Sequence, residues 1–567
     1  MDSEVCRLRI LSEEYRDFIM PVGGGRVRLN LSREQLCMQE TGVGYEILYA
    51  DQTLADPVNF ERFSYASVPQ CYALLDMAAM NQAGITPVQN YPTLQLMGRG
   101  VMIGFIDTGI DYQNAVFRNL DGTTRIAGIW DQTVQTGEPP EGFAYGSSYT
   151  EEMINQALRT ADPLEQIPVE DENGHGTFLA SLAAGNADIS SQFLGAAPES
   201  EIAVVKLKQA KEYLREFYAI PRDVPCYQEN DIMLGIRYLH RLAEERGLPL
   251  VICVALGTSF GGQNGTTPLD VMLEIYSAFL NRMVVTGVGN EANQRHHYYG
   301  RIERMEDRKE VEIQVGSGED GFSMELWTDL PNILTLSIVS PSGEIVPRIS
   351  VRQGTDTVFR FLFENTEVYV DFRILVERNN SQLIFFRFRS PAEGIWKLIV
   401  EPIRLAGGEF HIWLPVEEFL SRPVIFLEPE PDTTLTSPST VSAGMSVAYY
   451  NGNENSVDIN SGRGYTRTGR IKPDIAAPGT GVTGALPGGR FARKSGSSAA
   501  AAIAAGASAL MMEWIVYHSG NVGADTIQIK NLFILGANQR PDMEYPNREW
   551  GFGTLDVYNT LQRIREL

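Results

Sequence analysis

Three short segments of this 567-residue chain carry side chains that could act together on a carbonyl carbon. Val101-Met102-Ile103-Gly104-Phe105-Ile106-Asp107-Thr108-Gly109 is an apolar run ending in a carboxylate and a glycine turn, where α/β sheets expose functional groups. Asn173-Gly174-His175-Gly176-Thr177 sets one of only six histidines between two glycines, whose small size leaves the imidazole reachable. Ser495-Gly496-Ser497-Ser498-Ala499-Ala500 turns straight into a small-residue helix, and a serine at a buried helix N-terminus has free N–H groups and the positive dipole end beside it. Each segment also has a plain structural reading: a turn-capping aspartate, a packed histidine, a helix-capping serine. Taken together they are the parts of an activated nucleophile. A hydroxyl attacks poorly until an imidazole removes its proton, and the imidazole needs a carboxylate to hold its tautomer and offset its charge. Asp111, just past the turn after Asp107, is the rival for that carboxylate.

Such groups must be held by a scaffold, and the composition supplies one. Apolar residues make up 43% of the chain and charged residues 21%, an ordinary globular balance at a length that suits three or four domain-sized units. Lys and Arg number 47 against 71 Asp and Glu, a net charge of −24 with no basic run, which disfavours nucleic acid and anionic membrane surfaces as partners. The N-terminal MDSEVCRLRI places acids where a signal peptide needs positive charge, so a cytoplasmic protein without a signal peptide is expected. The longest apolar run, Ala499 to Met512, has 14 residues, too few for the roughly 20 that cross a bilayer. Five widely spaced cysteines, Cys6, Cys37, Cys71, Cys226 and Cys253, read as thiols in a reducing compartment rather than a disulfide framework or a zinc site. Gly185-Asn186-Ala187-Asp188 is too slight for a calcium site, and no metal or other cofactor is expected.

Four regions follow from the patterning. Residues 1–75 alternate short apolar stretches with polar turns such as Gly23-Gly24-Gly25 and read as a small mixed unit. Within 76–295, apolar strands at Val101–Ile106, Val204–Leu207, Val251–Leu256 and Met283–Val288 alternate with helices near Thr177–Ala184, Asp231–Glu245 and Leu269–Asn281, the signature of an α/β layer on a parallel sheet. Over 296–430 the period becomes two, as in Val311/Ile313/Val315, Leu334/Leu336/Ile338, Val368/Val370 and Leu398/Val400, which predicts an inserted antiparallel β-sandwich. After Glu428-Pro429-Glu430-Pro431-Asp432, residues 431–567 resume the α/β style, with a helix from Ser498 to about Tyr517.

The segments Asp107-Thr108-Gly109, His175-Gly176-Thr177 and Gly496-Ser497-Ser498-Ala499-Ala500 resemble the three active-site signatures of subtilisin-like serine proteases, which share the chain order Asp, His, Ser. Leu194-Gly195-Ala196-Ala197-Pro198, Val284 to Asn290 and Lys472 to Gly479 resemble further family segments, and the likeness spans roughly 92–295 and 440–560. The resemblance implies Asp107 as orienting carboxylate, His175 as general base and then acid, Ser498 as nucleophile and Asn290 as oxyanion-stabilising side chain. It also implies that Ala255-Leu256-Gly257 is a strand edge that pairs with an extended protein or peptide substrate. Where the family commonly has Thr this chain has Ser497, and Ala502 and Ile503 stand where Pro and His are frequent.

The alanine-rich helix, the β insert and the Trp-Gly-Phe-Gly553 ending resemble one branch, the Csp germination proteases of clostridia and relatives. That branch implies a jelly-roll insert, an N-terminal prodomain that assists folding, inhibits, and is cut by the enzyme itself, and a spore-associated setting in which the enzyme activates a zymogen during germination. The expected cut lies between about 66 and 90, with Phe63–Gln70 lying in the cleft like a product. Some members have lost the triad and signal without cleaving, so a scaffold is the alternative reading. Trp327, Trp396 and Trp413 suggest a third, a carbohydrate-binding insert, although tryptophans in a sandwich usually belong to the core.

Overall fold

The computed structural model describes residues 9, 14–21, 37–40, 45–55, 77–92, 94–351, 357–374, 376 and 379–566. The chain divides into two compact units, 1–75 and 76–567. In the first, Tyr45–Asp51 is the central strand of an antiparallel sheet between Tyr15–Pro21 and Cys37–Glu40, and the helical turn Gln52–Ala55 follows it. Phe18, Leu48 and Ala50 are buried there. Cys37 is disulfide-bonded, which corrects the expectation of a free thiol at that residue, whereas Cys226 and Cys253 are free and buried. Gly23-Gly24-Gly25, Cys6, Cys71 and the Phe63–Gln70 stretch lie outside the described residues.

The second unit is built on a nine-stranded sheet. Its parallel centre runs Met445–Asn451, Arg282–Gly287, Leu250–Val254, Met102–Asp107, Glu201–Lys206, Ile126–Asp131. Each predicted strand is present within three residues of its expected bounds. The sheet is mixed rather than wholly parallel, because Ser147–Thr150 and Ser456–Val457 pair antiparallel at its edges. Four residues separate Asn451 from Ser456, too few for the crossover that parallel pairing requires.

Successive residues of a strand face opposite sides, and both sides here are covered. Ile103, Phe105, Val204 and Val251 pack with the His175–Ala184 and Ser497–Glu513 helices. Met102, Ile106, Val205, Ile252 and Val254 pack instead with Ile236 and Leu239 of the Glu229–Arg246 helix and Leu273 of Pro268–Ser277. That two-sided burial explains why the strands read as continuous apolar runs.

The Ser497–Glu513 helix continues through Trp514–His518, and the 22 residues are long and apolar enough to cross a membrane; 89% of the apolar window is buried inside the fold, as in a core helix. The insert consists of two antiparallel sheets, of six and five strands, that share one core. Val311, Ile313, Val315, Leu334, Leu336, Ile338, Val368, Val370, Leu398 and Val400 all lie in it, as their alternation predicts. Trp327, Trp396 and Trp413 are buried, which leaves the carbohydrate-binding reading without a platform.

Gly506 shows how tightly the helix is seated. A Cβ there would lie 2.4 Å from Ala196 Cβ and 2.7 Å from the Ala183 carbonyl oxygen. Alanine would gain about 0.5–1 kcal/mol of intrinsic helix preference but cost about 1–3 kcal/mol by overpacking. Gly506→Ala is therefore expected to destabilise the protein by about 1 kcal/mol net, read as a lower urea midpoint at unchanged slope.

Candidate active site

Asp107 ends a strand at the centre of the sheet and is 1% exposed. A buried carboxylate needs donors, and Asp107 has them: the Thr108 N–H at 2.8 Å from Oδ1, and His175 Nδ1 at 2.8 Å from Oδ1 and 3.0 Å from Oδ2. With the carboxylate accepting, Nδ1 carries the imidazole proton and Nε2 keeps its lone pair. His175 is the first residue of its helix, and Gly176 lets that helix sit against the Asp107 turn. A Cβ on Gly176 would stand 2.2 Å from the Gly109 carbonyl oxygen.

Asp171 locks the same turn, and nothing in the sequence singled it out. Its buried carboxylate accepts from Thr108 Oγ1 at 2.7 Å, Gly174 N at 2.8 Å, Thr177 N at 2.8 Å and Thr177 Oγ1 at 2.7 Å. Thr108 Oγ1 in turn accepts the Gly176 N–H at 2.9 Å. Asp171 stands four residues before His175 in a polar turn, which reads as surface until the fold shows the donors converging on it. Asp111, the rival carboxylate, is engaged elsewhere: it accepts from Gly488 N at 2.9 Å and Gln113 N at 3.1 Å.

Ser498 is the one residue of its helix that is not buried. Gly496, at φ 154° and ψ 163°, takes a conformation essentially reserved for glycine. A Cβ there would stand 3.7 Å from Asn290 Oδ1 and 4.0 Å from both Asn290 Nδ2 and Ser498 N, so glycine keeps open the space these groups border. Asn290 Oδ1 accepts the Ser497 N–H at 3.1 Å, and Ser497 Oγ accepts the Gly289 N–H at 3.1 Å. The amide is thereby oriented with Nδ2 as its remaining donor. The Ser498 hydroxyl donates to the Ala255 carbonyl at 3.2 Å rather than to His175.

Ala255, Leu256 and Gly257 run on past the last ladder pair, Val254 with Thr286; the first two are half-buried and Gly257 is exposed. They line a cleft of about 1010 Å³ together with His175, Asn290 and Ser498. Sequence reasoning missed the rest of its wall, including Tyr218, Phe260, Glu325 and Lys494, because those residues meet only through tertiary packing. Among the described residues no group of three His, Cys, Asp or Glu side chains converges as a metal site requires.

A model of the subtilase family matches residues 98–304 and 423–553. The chain belongs to the subtilase family. The unmatched stretch between these segments falls within the two-sheet insert. Among solved structures, the Clostridium perfringens CspB protease aligns over 86% of this chain and 98% of its own, at a TM-score of 0.77 and 28% identity. Subtilisin-like protease SBT2.2 of Arabidopsis thaliana is 31% identical over 131 residues, 19% of this chain and 15% of that protein. Serine protease AprX of Bacillus subtilis is 30% identical over 210 residues, 33% of this chain and 39% of that protein. The subtilase thus spans well under half the length of these two sequence relatives.

Burial pushes the His175 pKa down, but the Asp107 charge and hydrogen bond push it up further, with Lys494 opposing and Asp171 assisting. The net shift is upward from 6.5. Since the folded value exceeds the unfolded one, the protonated pair contributes stability in full below about pH 6.5, and that contribution is lost as pH rises through the folded value. In Asp107→Asn burial is left to dominate. Histidine titration by NMR is expected to place His175 above 6.5 in the wild type and below it in the variant.

Proposed function

We propose that this subtilase is a serine endopeptidase working through Asp107, His175 and Ser498. The observation that carries this reading is the Asp107–His175 pair held at one cleft with the only unburied residue of the Ser497–Glu513 helix. Rotation of the Ser498 side chain from Ala255 toward Nε2 engages the base; such bonds are often unmade without substrate. Oγ then attacks the scissile carbonyl carbon while Nε2 takes the hydroxyl proton, and Asp107 stabilises the imidazolium through Nδ1–H. Negative charge developing on the carbonyl oxygen meets Asn290 Nδ2 and the Ser498 N–H at the positive helix end. Collapse breaks the C–N bond, Nε2 returns the proton to the leaving amine, and water releases the acyl group by the same steps in reverse roles. Ala255, Leu256 and Gly257 supply the edge against which the substrate backbone pairs.

By the same reading residues 1–75 are a prosegment acting as chaperone and inhibitor, 76–295 and 431–567 form the catalytic domain, and 296–430 form a jelly-roll-like insert. Proteolysis inside the producing cell, with zymogen activation in spore germination as the specific case, is the proposed setting. A second reading, a scaffold that binds without cutting, draws on the Ser498 hydroxyl resting on a backbone carbonyl.

Intact mass after matched incubations separates the two. Wild type is expected to lose a fragment ending between about residues 66 and 90, and Ser498→Ala to keep it. Loss from neither puts the scaffold reading first. In peptide cleavage assays Asn290→Ala is expected to lower kcat by about 10²–10³-fold with KM little changed.

A further inference from the structure

Strand Gly321–Asp329 of the insert is buried on both faces, and the two faces serve different masters. Phe322, Met324 and Leu326 point into the core of the insert. Ser323, Glu325 and Trp327, the alternate positions, meet the catalytic part of the unit. Ser323 Oγ donates to the Tyr218 carbonyl at 2.9 Å, holding the end of the Glu212–Tyr218 helix on one wall of the cleft. Phe217, beside it, stacks on Phe385 of the adjacent insert strand at 5.5 Å. Glu325 Oε2 accepts the Gly261 N–H at 3.1 Å and Trp327 Nε1–H at 2.9 Å. Gly261 belongs to the loop that continues from the Ala255-Leu256-Gly257 edge and carries Phe260, whose ring lies 5.8 Å from that of Tyr218. Trp327 faces Gly262 and lies under the Arg467 guanidinium, which donates to the Gly262 carbonyl at 2.7 Å.

We propose that Glu325 is a positioning residue for substrate: by anchoring Gly261 it fixes the loop beyond the pairing edge and so sets the cleft's affinity for extended peptides. The proposal rests on the protease reading above. Burial of a carboxylate is costly, and here it raises the Glu325 pKa against the opposing hydrogen bonds from Gly261 and Trp327. A packing role alone would be met more cheaply by an apolar side chain of the same size. The edge itself ends at Thr258, which is bridged to Ser437; beyond it the 259–263 segment is tied within itself, by Phe260 N–H to Thr258 Oγ1 at 3.2 Å and Gln263 Nε2 to the Ser259 carbonyl at 2.8 Å, and Glu325 is the insert side chain that fastens Gly261 from outside, with Arg467 on Gly262.

The test compares wild type, Glu325→Leu and Glu325→Gln, all checked for equal thermal midpoints. Three readouts are used: the rate of phosphonylation by diisopropyl fluorophosphate, hydrolysis of a single-residue ester, and hydrolysis of a fluorogenic hexapeptide copied from the first cut mapped in casein. Glu325→Leu is expected to raise hexapeptide KM about tenfold with kcat, ester hydrolysis and phosphonylation within about twofold of wild type. Glu325→Gln keeps an acceptor for the Gly261 N–H and is expected to restore the wild-type KM. An unchanged KM in Glu325→Leu overturns the proposal, as does a parallel fall in all three rates, which marks general damage to the triad. A wild-type protein that neither reacts with the probe nor cuts casein overturns the protease reading and this proposal with it.

Discussion

The architecture depends on one helix that is apolar on every side. Ser497–Glu513 has a polar face nowhere, so it is stable only when surrounded, and its alanines and Gly506 let neighbours approach to backbone distance. Each small side chain brings little apolar area, about 0.8 kcal/mol per buried CH₂, so close packing against the sheet and the His175–Ala184 helix has to supply the rest. Enclosure also fixes the electrostatics. The first N–H groups of an exposed helix would be satisfied by water, whereas here the Ser497 N–H goes to Asn290 and that of Ser498 borders the space kept open by Gly496.

Two buried carboxylates face the opposite problem, a charge that must find donors. Asp107 and Asp171 sit on either side of Thr108, which gives its N–H to the first and its hydroxyl to the second. Asp171 is saturated by four donors and acts on the imidazole only through its charge; it stiffens the turn so that Asp107 and His175 meet with little freedom left to lose. The upward shift of His175 is the electrostatic trace of that arrangement: the attraction of a close carboxylate exceeds the penalty of burial.

What could be read from the chain followed from how local each signal is. Strand-end Asp107, Gly-flanked His175 and helix-start Ser498 are each written in a handful of adjacent residues, and the change of period from mixed to two marks the insert. Asn290 and the 255–257 edge came only through resemblance, since an Asn after a Gly turn has no distinguishing pattern of its own. The antiparallel edges, Asp171, Glu325 and Lys494 were illegible for a different reason. Their partners lie on other elements, and a carboxylate in a polar turn looks the same whether the fold will bury it or leave it in water. Free thiols were the right expectation for Cys226 and Cys253 but not for Cys37.

The order of the parts along the chain has a temporal meaning. The carboxylate and imidazole are both present within the first 175 residues, but the serine follows only after the two-sheet insert, at 498. During synthesis Asp107 and His175 are therefore made hundreds of residues before Ser498, and gathering all three at one cleft requires the insert to bring its two ends together, since His297–Arg301 pairs with Glu409–Trp413 at its base. A growing polypeptide thus carries Asp107 and His175 for the whole time the insert is being made, before Ser498 can join them.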